Sequence, residues 1–123
     1  MAAKLEEARE RETVEAMEKA ERQEHAQYLR PKLDAWARGK HDNIRALLGT
    51  LSDVMWEGSR WKPVSMADLM DPSAVRKAYR KAIILMHPDK VKQRGGTSEQ
   101  IYLADYLFDV TNDAWKHFED TEM

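Results

Sequence analysis

His87, Pro88 and Asp89 stand together in this sequence, with Arg76, Lys77, Arg80 and Lys81 before them and Lys90, Lys92 and Arg94 after. A lone carboxylate among seven cations, set directly after a proline, suits recognition better than catalysis. Pro88 restricts the backbone and makes the charged turn rigid. The cations carry a cost of their own. Arg76 with Arg80 and Lys77 with Lys81 lie at i,i+4, where like charges cost about 0.2–0.5 kcal/mol per pair on an isolated helix. A surface chosen for stability alone would mix in acids, so the cost suggests a use.

Reactive chemistry finds no frame. His25, His41, His87 and His117 contain no pair three to five residues apart, the spacing that places two metal ligands on one helix. Cysteine is absent, which removes disulfides, thiolate ligands and a sulfur nucleophile. Gly95-Gly96 lacks the following Lys-Ser/Thr of a phosphate-cradling loop, and no Gly-x-Ser-x-Gly elbow presents a serine. The expectation is a protein that is not an enzyme and holds no cofactor or metal.

The formal charge of −2 conceals a separation. Residues 73–94 hold seven Lys/Arg against Asp89, whereas residues 99–123 hold seven Asp/Glu against Lys116. A partner surface is therefore local. With no aromatic interleaved among the bases and an acidic segment alongside, nucleic acid is not expected as a partner. No apolar run approaches the ~20 residues of a membrane span, and Met1–Arg11 lacks a secretory apolar core, so no membrane insertion is expected. The lack of cysteine is compatible with a reducing compartment. The opening Met1-Ala2-Ala3 is compatible with a piece of a longer protein.

Helices must position these residues. Residues 4–30 are charged, free of Gly and Pro, and hold acid-to-base pairs at Glu7–Arg11, Glu15–Lys19 and Glu18–Arg22, which predicts a solvated helical extension. Pro31 suits a first helical position and Gly39 a stop, so 31–38 reads as a separate turn or two. Asp42 would cap a helix from Asn43 to about Met55, with Ile44, Leu47, Leu48, Leu51 and Met55 on its core face. A long loop follows over 56–72, pinned by Trp56 and Trp61, with Ser65 and Asp68 as a capping box. Asp71-Pro72 opens the basic helix, whose Val75, Ala78, Tyr79, Ala82 and Met86 face inward. It ends before Pro88. After a turn through Gly95-Gly96, Thr97 and Gln100 cap a last helix over about 98–118. Its stripe is Ile101, Ala104, Phe108, Trp115 and Phe118, widened by Leu107 and Ala114. The two helices around the turn should form an antiparallel hairpin. The fold class is all-α.

With these residues in place, the segment Val75–Phe118 resembles a J domain, the module of DnaJ-type co-chaperones. Ala78-Tyr79-Arg80-Lys81 is similar to the helix before that family's signature, His87-Pro88-Asp89-Lys90 to the signature itself, and Phe108 through Trp115 to the helix after it. More narrowly it resembles the auxilin type, through Asn112-Asp113-Ala114-Trp115 and the long Trp61-Lys62-Pro63-Val64 loop. With Lys92 through Ser98, it looks most like the auxilin-like proteins of green plants. The match covers about 42–118, which divides the chain into an extension over 1–41 and a J domain over 42–120. The Leu-Gly-Val junction of general J domains is missing, as are Gly/Phe-rich and Cys-rich zinc modules. Asp68-Leu69-Met70 and Asp71-Pro72-Ser73 only approximate short clathrin-binding elements, and capping or core roles explain them more simply.

The resemblance implies a partner and a role for each residue. The partner would be a heat-shock chaperone of the seventy-kilodalton class, whose ATP hydrolysis the J domain stimulates. Arg76, Lys77, Arg80 and Lys81 would steer, Asp89 would pair with a chaperone arginine, His87 would donate a hydrogen bond fixing the loop, and Lys90 would add positive charge. Clathrin-coat disassembly or chloroplast movement would be the process served, with clathrin reached through the parent protein, in the cytoplasm, by a monomer. The rival readings are an interaction scaffold joined through a coiled coil over 4–30 and a small nucleic-acid binder using the basic patch.

Overall fold

Helix α1 (Ala2–Ala37) begins in sequence that favours helix everywhere and core nowhere, and residues up to Glu24 stand almost wholly in solvent. The computed structural model describes residues 2–122. It contains five α-helices and two 3-10 turns, with no strand among the described residues. The all-α expectation holds. No helix among the described residues is long and apolar enough to cross a membrane.

The expected break at Pro31 does not occur, because α1 runs through it. An interior proline costs about 3 kcal/mol through its lost hydrogen bond and ring clash. Leu29, Leu33, Trp36 and Ala37 are buried in the central core on the same helix, and large apolar side chains gain about 1.5–3 kcal/mol each on burial. Tertiary packing outweighs the local penalty. The core therefore reaches back to Leu29. The three expected i,i+4 ion pairs do not close, whereas Arg30–Asp34 does, at 3.7 Å. Exposed pairs gain little and must order two long side chains, so their failure is unsurprising.

Gly39 ends the helix in the left-handed region, at φ 77°. Asn43, rather than Asp42, caps α2 (Ile44–Gly49) by accepting from the Ala46 amide at 3.0 Å. The expected helix to Met55 stops early. The Trp36 indole donates to the Thr50 hydroxyl at 2.9 Å and to its carbonyl at 3.2 Å, while the Thr50 hydroxyl donates back to Ala46 O. These bonds compete with the helical ladder, and the chain tightens into a 3-10 turn over Leu51–Asp53.

In the following loop, Ser65 and Asp68 form the expected reciprocal cap, at 2.9 and 3.2 Å. It leads into a 3-10 turn, Ala67–Leu69, that drives Leu69 into the core at 1 % exposure. Arg45 reaches across from α2 to the Leu69 carbonyl at 2.7 Å and pairs with Glu122 at 2.7 Å. Helix α3 (Pro72–Met86) buries the five residues expected of it. Asp71 sits at its cap position, but its side chain makes no capping bond and instead accepts from the Ser73 hydroxyl.

The last helix, α5 (Ser98–Glu122), starts at the expected cap, where Thr97 and Gln100 exchange bonds of 3.0 and 3.1 Å. It packs against α1, α3 and a short helix between them. Its fully buried line is Ala104, Leu107, Thr111, Ala114 and Phe118; Ile101, Phe108 and Trp115 flank it, half-buried. Thr111 is tolerated there because its hydroxyl donates to Leu107 O at 2.6 Å. Tyr79 of α3 stacks on Trp115 of α5, centroids 4.5 Å apart and planes within 8°. This contact holds the hairpin together.

Candidate functional site

The 87–97 segment was expected as a charged turn. It is a short helix, α4 (Pro88–Gln93), wedged between α3 and α5. His87 ends one helix and begins the next. Its amide donates to Ile83 O at 2.9 Å, closing α3, and its carbonyl accepts from the Val91 amide at 3.0 Å. Its backbone is extended, φ −67° and ψ 123°, as a residue before proline should be.

The histidine side chain acts in the opposite sense from that expected. Its Nδ1 accepts from the Asp89 amide at 3.2 Å, which makes His87 the N-cap of α4 and requires Nδ1 to be unprotonated. The ring lies edge-on against Phe108, 5.0 Å away. Pro88 takes the first helical position, where its missing N–H costs nothing. Asp89 therefore sits in the first turn of a capped helix, not in an extended turn. It is exposed, and among the described residues no side chain pairs with its carboxylate. Lys90 beside it is also exposed.

The far end of α4 is closed as firmly. Gly95 adopts φ 78°, its amide donates to Lys92 O at 3.0 Å, and the Gly96 amide donates to Val91 O at 2.9 Å. This is a Schellman stop. A Cβ on Gly96 would lie 2.4 Å from Val91 Cγ1, and Val91 is buried. Arg94 had been counted with the cationic flank. Its guanidinium instead forks back onto the last turn of α3, donating to Ile84 O at 3.1 Å and Leu85 O at 2.9 Å. It clamps the two helix ends together, a role that only an end-of-helix carbonyl nearby in space could reveal.

The four upstream cations lie on α3, away from its buried line. Lys77, Arg80 and Lys81 are exposed, and Arg76 is half-buried. By helical rise, Lys81 is about 9 Å and Arg76 roughly 16 Å from His87 along the axis. The structure thus brings His87, Pro88, Asp89 and Lys90 into one cluster and strings Arg76, Lys77, Arg80 and Lys81 along a band leading to it.

Helix α1 borders this cluster, a neighbour that no local pattern in the chain predicts. His25 contacts the Ser98 hydroxyl at 2.9 Å and Tyr28 at 3.1 Å, and Tyr28 donates to Glu99 at 3.1 Å. Tyr106 donates to Asp34 at 2.5 Å. Burial and that carboxylate together hold the Tyr106 hydroxyl well above the ordinary tyrosine range. The docking leaves a cleft of about 650 Å³, with Glu18, Glu21 and Arg22 on one side and Pro88, Lys92 and Tyr102 on the other.

The sequence that builds this site is similar to known proteins. The chain is 45% identical over 87 residues, 71% of its length, to "J domain-containing protein required for chloroplast accumulation response 1" of Arabidopsis thaliana. It is 40% identical over 119 residues, 97% of its length, to "Auxilin-related protein 1" of the same plant. The chain belongs to the auxilin-like J domains. A yeast relative, "Auxilin-like clathrin uncoating factor SWA2" of Saccharomyces cerevisiae, is 37% identical over 89 residues, 72% of the chain. The chain spans 13% of the length of each of these three relatives. No family model matches it. Within this J domain the two clathrin-like elements have structural roles: Leu69 is core, Asp68 caps Ser65, and Asp71 and Pro72 begin α3.

Proposed function

We propose that this J domain recruits a heat-shock chaperone of the seventy-kilodalton class and stimulates its ATP hydrolysis, acting as a co-chaperone rather than an enzyme. The observation that carries the reading is Asp89, an exposed and unpaired carboxylate held in the first turn of a capped helix, with a cationic band leading to it. Arg76, Lys77, Arg80 and Lys81 would raise the association rate toward an acidic surface, while Asp89 supplies a directional contact to a partner arginine. A charge pair of that kind, once desolvated, costs about 2–5 kcal/mol to break. His87 and Pro88 act on Asp89 indirectly, by fixing the turn that carries it. Lys90 extends the positive surface.

Two processes fit the relatives: disassembly of clathrin coats, with clathrin reached through the parent protein, and chloroplast positioning. Both go with a cytoplasmic location and a monomeric J domain. We further propose that the folding unit begins near Leu29 rather than at 42, since the core includes Leu29 through Ala37. Residues 2–24 would then be a helical lever joining the unit to its parent.

Asp89→Asn tests the reading. The variant keeps size and shape but loses the charge. It should retain helicity and thermal midpoint while losing at least about tenfold in ATPase stimulation at fixed concentration, the equivalent of 1.4 kcal/mol. Stimulation equal to the parent's would overturn the assignment.

A further inference from the structure

The turn that presents Asp89 takes away the donors that the last carbonyls of α3 would otherwise meet. Along an α-helix each carbonyl accepts from the amide four residues on. The last such bond here runs from the His87 amide to Ile83 O at 2.9 Å. Next in line is Ile84 O, which would take the amide of residue 88, but that residue is proline and has none. Leu85 O would take the Asp89 amide, and that amide is given instead to His87 Nδ1 at 3.2 Å. Arg94 answers both losses. Its guanidinium donates to Ile84 O at 3.1 Å and to Leu85 O at 2.9 Å.

We infer that Arg94 is a positioning residue for Asp89 and acts through this competition. The Asp89 amide has two alternative acceptors: His87 Nδ1, which starts α4, and Leu85 O, which would prolong α3. Prolonging α3 requires His87 to leave its extended backbone, ψ 123°, a change that the following proline disfavours. Arg94 lowers the gain from that change, because Leu85 O already holds a charged donor, roughly twice as strong as a neutral one. The cap is thereby kept by three residues rather than two.

Arg94 also fixes α4 as a body. It stands at the C-cap of α4, so its fork ties the far end of that short helix to the end of α3. His87 ties the near end, with its ring edge-on to Phe108 at 5.0 Å. With both ends held, the angle between α3 and α4 is set. That angle fixes where the Asp89 carboxylate stands relative to Lys77, Arg80 and Lys81. A simpler role for an exposed arginine is one more steering charge. Against it, the planar fork is spent on backbone carbonyls, and the helix C-terminus offsets part of the charge. The importance of Asp89 rests on the chaperone reading above; the hold of Arg94 on the cap does not.

The experiment compares the parent with Arg94→Ala, Arg94→Lys and Leu33→Ala, and adds Arg94→Ala to the Asp89→Asn protein. Stimulation of a purified seventy-kilodalton chaperone's ATPase is read at a temperature where circular dichroism shows every variant folded. The ring nitrogens of His87 are read by NMR in alkaline buffer. Arg94→Ala and Arg94→Lys should both lose about threefold to tenfold in stimulation, and the His87 Nδ1 signal should move away from that of a hydrogen-bonded acceptor. Leu33 is a core residue of α1 at 2 % exposure, so its truncation destabilises without touching the cap, and stimulation should stay parental. In the Asp89→Asn background, Arg94→Ala should change stimulation no further, since the two residues act as one unit. Parental stimulation by Arg94→Lys would show that only charge matters and overturn the inference. So would an unmoved His87 signal in folded Arg94→Ala. A parent that stimulates no chaperone would sink the functional reading, and the His87 signal alone would then decide the hold on the cap.

Discussion

The two connections that flank α3 are held by different forces. The segment before it, 50–71, is long and anchored by side chains: Leu69 in the core, Trp56 and Trp61 packed against it, and Arg45 bonded to the Leu69 carbonyl. The segment after it, 87–97, is short and closed by hydrogen bonds at every step. These run from the His87 cap through the Schellman glycines to the Arg94 clamp and the Thr97–Gln100 box. Anchoring by burial leaves the backbone between anchors free. Closure by hydrogen bonds leaves no such freedom, and it is the closed segment that presents Asp89. Rigidity is placed where one carboxylate must point in one direction.

Breaking an anchor should cost most. Leu69→Ala removes a fully buried side chain and should lower stability by about 3 kcal/mol, measured by urea unfolding. A loss below about 1 kcal/mol would mean that the loop collapses to refill the space, and the contrast with the closed turn would fail.

In the closed turn, Gly96→Ala should cost about 2 kcal/mol. The new methyl meets Val91 Cγ1 at 2.4 Å and the Val91 carbonyl at 2.9 Å, and the buried valine has little room to give. Arg94→Ala should cost about 1–1.5 kcal/mol by the same measurement, since it frees the Ile84 and Leu85 carbonyls. Arg94→Lys should recover little, because an ammonium cannot fork to both oxygens. An Arg94→Ala protein as stable as the parent would remove the clamp from this account.

A smaller effect concerns the Tyr79–Trp115 stack between α3 and α5. Burial, with Glu119 adding, pushes the Tyr79 hydroxyl from 10.0 up to about 12. A raised value in the folded state means that the neutral phenol favours folding. That contribution is complete below pH 10 and is lost as pH climbs toward about 12. Thermal midpoints should fall over that window, and Tyr79→Phe should flatten the fall while keeping the Trp115 stack. Smallest of all on stability is Asp89→Asn, which should move the folding free energy by less than about 0.5 kcal/mol, as expected at an exposed site with no side-chain partner. Its large effect on chaperone stimulation beside that small one would sharpen the comparison most.

Much of this was legible in the chain because it is local. The Ser65–Asp68 and Thr97–Gln100 boxes, the stop before Pro88, the inward residues of α3 and most of the α5 stripe follow from capping chemistry and the 3.6-residue period. The family likeness followed from the same residues. What failed was decided by distant parts of the chain. Asp42 and Asn43 are both good caps, and only the path of the chain after Gly39 selects between them. The 43–55 helix was cut short by an indole 14 residues away.

By itself, then, the sequence determined where helices start and stop, which faces are apolar, and that a lone acid would stand at a proline turn among cations. Only the tertiary structure decided that Pro31 would be carried through a helix, that Thr50 would end one, and that Arg94 would clamp rather than steer. It also decided that His87 Nδ1 would accept a hydrogen bond from the Asp89 amide, and that the charged extension would lie near Pro88 and Lys92. Capping and periodicity act between residues a few positions apart, so one sequence window contains both partners. Burial and cross-chain hydrogen bonds join residues tens of positions apart, and their free energies exceed the local preferences they override.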